Sequence, residues 1–481
     1  MFILSLLKIS SILLAIVGTS FIIPIGVAIA NGENYVLLTF IIPMIASWIL
    51  LLCVNIPTRK IKFTLSSRQA FVVVALAWVI TSVMGSIPLY FSGCFASYVD
   101  ALFESISGFS TTGSTILSEI EVLPRSINMM RCLTHWIGGM GIVTLTVALL
   151  PLLGVGGFQL IKAETTGPEK GKVTARITTT AKALWIIYLS FTVIETIALR
   201  IAGMDFTDAL SHSLATLGTG GFSTRNDSIG SYNSVAIDVI ITVFMFLSGV
   251  NFSLFYYLFT RKVNEIRENT ELKVYVSIVI IFIAVITCIL IPFYGTFAKS
   301  LRYSSFQVVS LMSTTGFSTA DFLQWPSSAQ FFLFLLFFMG GCSGSTSGGF
   351  KIIRWVILGK IVSNETKKML HPHGVFTTRV NNRPIKSDII TTVAAFTTVY
   401  FILIAITTGA GCFSGLDLFT SFTAALTMVG NVGPAFGALG PTANYGALPV
   451  LLKCWYCFVM LAGRLELYTM IIFFFPNYWK K

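Results

Sequence analysis

Four short stretches of glycine and small polar residues could coordinate a bare metal cation. They read FSTTGSTI around Gly113, LGTGGFST around Gly221, MSTTGFST around Gly316 and VGNVGPAF around Gly433. An extended glycine turn directs successive backbone carbonyl oxygens to one side, and four turns in a ring can replace the water shell of a dehydrated cation. Glycine suits such a turn because it accepts positive φ and lets the backbone approach a ligand closely. The stretches therefore predict passage of a group-one cation, with K⁺ favoured over Na⁺ because all four turns share glycine.

The elements that must position these turns recur at intervals of roughly 100 residues, as in a protein built from repeats. Each turn follows a semi-polar segment of helix length and lies between two long apolar runs. A helix of about ten residues is ~15 Å long, half of a ~30 Å hydrocarbon core, so the chain must turn back within the membrane. Non-helical backbone at that depth is tolerated only inside protein or beside water. The turns are therefore predicted to line one wet passage, with the negative C-terminal ends of the short helices directed at its centre.

The alternative interpretation is that these glycines merely end helices, as C-cap glycines commonly do. Repetition of the whole unit favours a filter, and three of the short helices share an entry aspartate: Asp100, Asp208 and Asp417. The fourth turn offers two candidate glycines. Gly430 has the same spacing from Asp417 as Gly113 has from Asp100, but the text NVGP matches TTGS better, so Gly433 is predicted.

Composition and charge place the chain in a bilayer. Hydrophobic residues make up 55% and charged residues only 11%, whereas soluble domains carry about 25% charged residues. Of the 32 Lys and Arg residues, 21 lie in the connections between repeats and at the C-terminus. The positive-inside tendency then makes those connections and both termini cytoplasmic. The net charge of +12 is accordingly interpreted as membrane topology, which excludes a nucleic-acid partner.

The expected fold is an all-α membrane protein in which four pseudo-symmetric helix–pore-helix–helix repeats surround one pore after two extra transmembrane helices. The two leading helices occupy residues 1–55, and the first apolar run is interpreted as a retained span. The repeats are predicted at residues 69–153, 183–262, 273–360 and 386–476. Their short helices are expected at 100–110, 208–217, 304–313 and 416–426, and their closing segments at 128–153, 235–259, 329–358 and 448–475. This layout implies ten full crossings.

The closing segment of the third repeat breaks the symmetry, because it contains MGGCSGSTSGGFKIIR. Five of the ten residues from Gly340 to Gly349 are glycine, which destabilises a helix and leaves no continuous lipid-facing surface. We expect a broken segment that lines the pore and acts as a mobile gate. The alternative is a kinked transmembrane helix packed through small residues. A nucleotide-binding P-loop is excluded, because no GKS or GKT follows the glycines.

Several ionisable residues lie at apparent membrane depth. Arg464 is costly there unless it faces water or a partner, so we place it in the cavity below the filter; snorkelling or a structural ion pair is the alternative. His212 and Asp238 are expected to make structural hydrogen bonds, and the roles of Glu104 and Glu195 stay open. The Cys and His residues show no metal-ligand spacing. An intramembrane enzyme would need a catalytic dyad that the sequence does not contain, so the chain is not predicted to be an enzyme.

Five longer motifs resemble the TrkH family, the membrane subunits of bacterial Trk potassium uptake systems. They are HWIGGMGIVTL, LLGVGGFQLIKAETTGP, GGCSGSTSGGFKIIR, GNVGPAFG and AGRLELYT, and the resemblance covers essentially the whole chain. It implies a K⁺-translocating homodimer in the bacterial inner membrane, gated by a cytoplasmic ring of nucleotide-binding TrkA subunits. The transported ion is K⁺, and the chain itself is expected to bind no cofactor. Proton-coupled and passive transport both remain open, as does the nucleotide that regulates the partner.

The resemblance also assigns roles to individual residues. The ligands would be the backbone oxygens of Thr111, Thr112, Gly113, Thr219, Gly220, Gly221, Thr314, Thr315, Gly316, Asn431, Val432 and Gly433. The gate would comprise Gly340, Gly341, Gly344, Ser345, Thr346, Gly348 and Gly349, with Arg464 as the pore arginine. The first turn departs from the others in having Ser114 where the second and third have Phe222 and Phe317, which we expect to affect packing.

Overall fold

The computed structural model describes residues 2–58, 67–153, 177–471 and 476, and it is a mostly helical, membrane-type protein. The first helices are α1 (Phe2–Ser20), α2 (Ile22–Ala30), α3 (Asn34–Thr58), α4 (Ser67–Phe91), α5 (Tyr98–Phe109), α6 (Arg125–Leu153), α7 (Ile177–Ile201), α8 (Phe206–Gly218), α9 (Val235–Ser248) and α10 (Phe252–Phe259). They are followed by α11 (Val263–Arg267), α12 (Thr270–Tyr294), α13 (Phe297–Met312), α14 (Ser327–Leu336), α15 (Ile352–Leu370), α16 (Ser387–Phe413), α17 (Leu418–Gly430), α18 (Val450–Arg464) and α19 (Tyr468–Ile471).

Long apolar helices form the membrane-spanning part. Within the described residues, 6 helices are long and apolar enough to cross a bilayer, or 7 if α9 and α10 form one bent span. Many of their large side chains point outward, such as Leu38, Ile42 and Trp48 on α3. In a bilayer, such exposed apolar side chains contact lipid, and every backbone polar group within each helix is satisfied internally. The expected ten crossings stay a prediction, because the remaining closing segments are interrupted or more polar.

Four short helices, α5, α8, α13 and α17, each precede one of the glycine turns. Ser97, Asp205 and Asp417 cap three of them with their side chains. Hydrogen bonds from the Thr420 hydroxyl, and to a smaller extent from the Thr420 backbone N–H, lower the pKa of the exposed Asp417 carboxyl. The predicted start of the third short helix was wrong, because α13 begins at Phe297 and has 16 residues. Its N-cap residue is Thr296, which is in an extended conformation, and no aspartate marks this start in the sequence.

The short helices pack in a cyclic order. Short helix α8 packs on α6, α13 packs on α9, and α5 packs on α18, so each lies against the closing helix of the preceding repeat. The fourth, α17, meets α14 through Phe334, which contacts Phe419 and Phe422. Each short helix therefore contacts a helix of a neighbouring unit.

Three closing segments are interrupted. The predicted break in the third is present, since residues 337–351 between α14 and α15 are not helical. The prediction of a continuous segment at 235–259 was wrong, because α9 and α10 meet at 92°. The prediction of one continuous closing segment at 448–475 was also wrong, because α18 ends at Arg464. The chain then turns through Glu466 and Leu467, which both have positive φ. Only α6 runs without a break through its described length.

The connection between α15 and α16 forms a small β-hairpin, which the all-α prediction did not contain. Strand β1 (Arg379–Val380) pairs antiparallel with β2 (Arg383–Pro384). Asn381 and Asn382 both have positive φ, the conformation that a two-residue type I′ turn requires and that asparagine tolerates. Buried Val380 anchors the hairpin in a cluster with Ile353 and Ile357 of α15.

Candidate ion-binding site

The four glycine turns lie together and contact one another in a closed ring. A β-carbon placed on Gly113 would lie 1.9 Å from the carbonyl oxygen of Gly220, and one on Gly221 would lie 2.1 Å from that of Thr315. The equivalent distances are 2.2 Å from Gly316 to the oxygen of Val432 and 2.8 Å from Gly433 to that of Thr112. Each turn thus abuts the next, and the fourth returns to the first. Only glycine permits this approach.

The four turns share one backbone conformation. We name them turn 1 (residues 111–113), turn 2 (219–221), turn 3 (314–316) and turn 4 (431–433). The first residue of each turn ends a short helix with φ between 52° and 57°, and each glycine also has positive φ. The N–H of the middle residue bonds back to the carbonyl five residues earlier, as in Thr112 to Ser107 and Val432 to Thr427. The repeated geometry makes the four turns structurally equivalent.

The carbonyl oxygens at the contacts between turns have no hydrogen-bond donor from any described residue. They belong to the middle residues Thr112, Gly220, Thr315 and Val432, all of which are buried. A buried carbonyl without a partner costs free energy. A dehydrated cation at the centre of the ring would satisfy these oxygens. Among the described residues, no group of three His, Cys, Asp or Glu side chains offers an alternative metal site.

Turn 4 differs in the side chains that hold it. The Asn431 amide donates to the Thr112 hydroxyl at 2.9 Å and to the Met460 carbonyl at 3.0 Å. The Gly433 carbonyl accepts from the Ser114 hydroxyl at 3.0 Å and from the Tyr445 hydroxyl at 3.1 Å. Gly430 lies in the last turn of α17, whereas Gly433 takes the same ring position as the other three glycines. Gly433, and not Gly430, is therefore the structural equivalent of Gly113, Gly221 and Gly316.

A buried ion pair, which was not predicted from the sequence, contacts the residues that follow turns 1 and 2. Arg131 contacts the Glu104 carboxylate at 2.8 Å, and both side chains are fully buried. Glu104 also accepts from the Ile116 N–H at 3.0 Å, and Arg131 donates to the Ser223 carbonyl at 3.2 Å. The pair therefore joins the chain leaving turn 1 to the chain leaving turn 2. The charge of Arg131 within a largely apolar segment showed that it needs a partner, but it did not identify Glu104.

His135 provides a second brace. Its Nε2 accepts from the Phe222 N–H at 3.1 Å, so Nδ1 carries the proton and donates to the Gly108 carbonyl at 2.8 Å. This neutral tautomer ties α5 to turn 2. A β-carbon on Gly220 would lie 2.1 Å from the imidazole, which explains the glycine at that position.

The other ionisable residues named from the sequence lie away from the ring contacts. His212 makes hydrogen bonds with the Asp208 carbonyl and the Ser223 hydroxyl. Asp238 forms an ion pair with Arg302 at 2.7 Å. These contacts agree with the structural roles expected for both residues. Glu195 is fully buried on α7.

The glycine-rich stretch of residues 340–349, here called the gate loop, lies directly against the turns. Its Gly348 N–H donates to the Thr314 hydroxyl of turn 3 at 2.7 Å. Its other side meets the break between α9 and α10, where Cys342 N–H donates to the Gly249 carbonyl at 2.8 Å. Ser345 and Ser347 share a hydrogen bond within the loop. The loop is thus held by polar contacts with turn 3 of its own repeat and with the second repeat.

Arg464 bridges the gate loop and α6. Its guanidinium donates to the Thr346 carbonyl at 2.8 Å, and to the Gly138 and Gly139 carbonyls at 2.8 Å and 3.1 Å. The side chain is partly buried, so it neither snorkels freely nor relies on Glu466, which instead pairs with Arg354. The geometry places a fixed positive charge between two repeats beside the loop.

The chain is similar in sequence and in structure to known transport proteins. The profile of the TrkH family, described as a cation transport protein, matches residues 39–481. The chain is 39% identical to the Trk system potassium uptake protein TrkH of Halomonas elongata over 89% of each chain, and 37% identical to that of Escherichia coli K12 over 88% of this chain and 89% of the relative. It superposes on the crystal structure of the potassium transporter TrkH from Vibrio parahaemolyticus with a TM-score of 0.87 and 32% identity, covering 100% of both chains. The chain belongs to the TrkH family of cation transport proteins.

Proposed function

We propose that this protein takes up potassium across the bacterial inner membrane through a selectivity filter of backbone carbonyls. The four repeats expected from the sequence would surround one pore, with turns 1 to 4 as its narrowest part. The observation that supports this most strongly is the closed ring of turns, whose buried middle carbonyls have no donor among the described residues. The relatives named above are potassium uptake proteins.

The filter ligands would be the backbone oxygens of the twelve turn residues. Carbonyl oxygens compensate a cation for the water it sheds, and stacked rings allow it to move between sites. The C-terminal ends of α5, α8, α13 and α17 meet the turns, and their partial negative charge favours a cation. The ion pair of Glu104 with Arg131 and the His135 brace would hold the ring at the size that suits K⁺.

The gate loop and Arg464 would control passage below the filter. The loop touches turn 3 through Gly348, and Arg464 holds its Thr346 carbonyl. A guanidinium beside the passage also repels cations. Opening would move the loop and break its bond to Arg464, which removes the obstruction by the loop while Arg464 can stay bonded to α6.

Two protomers and a cytoplasmic partner would complete the transporter. The relatives belong to a Trk system, and the resemblance implies a homodimer regulated by TrkA-type nucleotide-binding subunits. The connections between repeats carry basic residues, and on a cytoplasmic face they would offer a docking surface. Both termini would lie on that side.

Flux measurements on the purified protein in liposomes test the filter. We expect K⁺ or Rb⁺ uptake that exceeds Na⁺ uptake. Gly316→Ser should reduce that preference by roughly tenfold or more, because its β-carbon would lie 2.2 Å from the Val432 carbonyl oxygen at a backbone φ that costs an L-residue about 1–2 kcal/mol. The matched control is Gly409→Ser, since no atom lies within 4 Å of the added carbon. An unchanged K⁺ to Na⁺ ratio in Gly316→Ser would count against the filter assignment.

A further inference from the structure

We propose that Glu271 is a positioning residue that clamps the gate loop at Ser343 and, beyond its end, at Ile353, and that links the loop to the hairpin of β1 and β2. This proposal rests on the gating role proposed above for residues 340–349. Glu271 lies in the first turn of α12 and is buried. It was not among the residues that the sequence suggested for function.

One carboxylate oxygen of Glu271 receives two backbone donors from the neighbourhood of the gate. Ser343 donates its N–H at 2.6 Å and Ile353 donates its N–H at 3.1 Å. These amides precede and follow the stretch of residues 344–349, which contacts turn 3 and Arg464. A single oxygen thus closes that stretch at its base, so the stretch cannot shift as a whole without stretching at least one of these hydrogen bonds.

The burial of Glu271 makes this clamp strong. An acidic residue in the first turn of a helix would stabilise that helix even when exposed, but here the carboxylate is turned toward amides of another segment. A buried charge that loses its partners carries a large penalty. The arrangement therefore favours the loop position in this structure.

The hairpin contacts both elements that the clamp joins. Asn381 accepts from the Thr270 N–H at 2.7 Å and donates its own N–H to the Thr270 hydroxyl at 3.3 Å. Thr270 immediately precedes Glu271 on α12. On the other side, Val380 packs with Ile353, the residue whose amide the clamp holds. A displacement of the hairpin therefore acts on α12 and α15 together, at the residues beside the gate.

The outer surface of the hairpin is exposed and basic. Arg379, Arg383 and Lys386 are all exposed, so an acidic surface of a cytoplasmic protein fits this position best. Binding there would pull on Thr270 and Ile353 and would loosen the two bonds to Glu271. The hairpin would in this way transmit a cytoplasmic binding event to the gate loop.

Amide hydrogen exchange on the full-length protein in lipid nanodiscs tests the clamp independently of transport. Glu271→Ala should speed exchange at Ser343 and Ile353 roughly tenfold or more, since hydrogen bonds to a charged group are lost. Glu271→Gln keeps the shape and should give a smaller rise of about threefold. The matched control is Glu268→Gln, an exposed acid three residues earlier, which should leave both amides unchanged. If Glu271→Ala does not fold, Glu271→Gln provides the test.

The link to the hairpin is tested by Asn381→Ala. It should speed exchange at the same two amides about threefold, and it should add little in a Glu271→Ala background, because residues that act through one network are not additive. Unchanged exchange at Ser343 in folded Glu271→Ala or Glu271→Gln protein would overturn the clamp. An effect of Asn381→Ala confined to the hairpin would overturn the link.

Liposome flux then separates this proposal from the proposed function. Glu271→Ala should raise K⁺ uptake roughly tenfold, because a loosened loop obstructs the passage less. If exchange responds as expected but K⁺ uptake stays at the wild-type level, the clamp does not control the gate and the proposal fails. If the wild-type protein itself carries no K⁺, the proposed function fails, and the exchange data alone decide whether Glu271 holds the loop.

Discussion

Replacement of Arg464 should open the gate, and the structure gives the size of the effect. The guanidinium joins Thr346 on the loop to Gly138 and Gly139 on α6. Movement of the loop breaks the bond to Thr346, whereas the two bonds to α6 can persist. A hydrogen bond to a charged group contributes about 1.5–3 kcal/mol net, which corresponds to roughly ten- to 150-fold in the ratio of open to closed loop.

We therefore expect Arg464→Ala to raise K⁺ uptake into liposomes by at least about tenfold when the closed state predominates. Arg464→Lys keeps the positive charge, but one ammonium lacks the planar fork that reaches both the loop and α6. Its flux should lie between those of the wild type and the alanine variant. This ordering separates the loss of the bridge from the loss of charge.

Arg200→Ala serves as the control, because that arginine is exposed at the end of α7 and also donates to a backbone carbonyl, that of Met204. It should leave flux unchanged. The reasoning would be refuted if folded Arg464→Ala and Arg464→Lys proteins both transported K⁺ within about twofold of the wild type, since a lost charge-assisted bond predicts a larger change.

Two further predictions concern the support of the filter. Arg131→Met leaves the Glu104 carboxylate buried without its partner, so it should reduce the free energy of unfolding by about 3–5 kcal/mol and lower the thermal midpoint in detergent. The control is Arg225→Met, which removes a half-exposed ion pair and should change the thermal midpoint little. Equal shifts of the midpoint in the two variants would argue against a bracing role for the pair of Arg131 and Glu104. Tyr445→Phe removes the hydroxyl on the Gly433 carbonyl and should lower K⁺ over Na⁺ discrimination roughly two- to tenfold with an unchanged thermal midpoint. A wild-type flux ratio in Tyr445→Phe would show that this contact does not tune the filter.

The four glycine turns were predictable from the sequence because their requirement is local. A turn that needs positive φ and close backbone approach needs glycine, and Gly113, Gly221 and Gly316 stand in similar text. The family resemblance was likewise carried by continuous motifs. The break at the gate loop was predictable for the same reason, since five glycines within ten residues cannot form a stable helix.

Features that depend on distant partners were not predictable. Arg131 pairs with Glu104 across two helices, and the clamp joins Glu271 to amides more than 70 residues away in sequence. The break between α9 and α10 was also missed, because its apolar flanks at residues 235–248 and 252–259 hide the polar cap that Asn251 provides to Ser253. The amino-acid composition around each residue does not indicate which distant residue it will contact.

The two neighbouring breaks, one within the gate loop and one between α9 and α10, would limit the proposed gate loop to two discrete positions. A broken helix within the membrane exposes backbone groups that must find partners inside the protein. Here the breaks satisfy each other: Cys342 N–H donates to Gly249, and Phe252 N–H donates to Gly344. The loop therefore cannot drift gradually, because a partial shift leaves buried groups on both repeats unpaired. Movement must exchange one complete set of partners for another, which is the condition for a gate that is either closed or open.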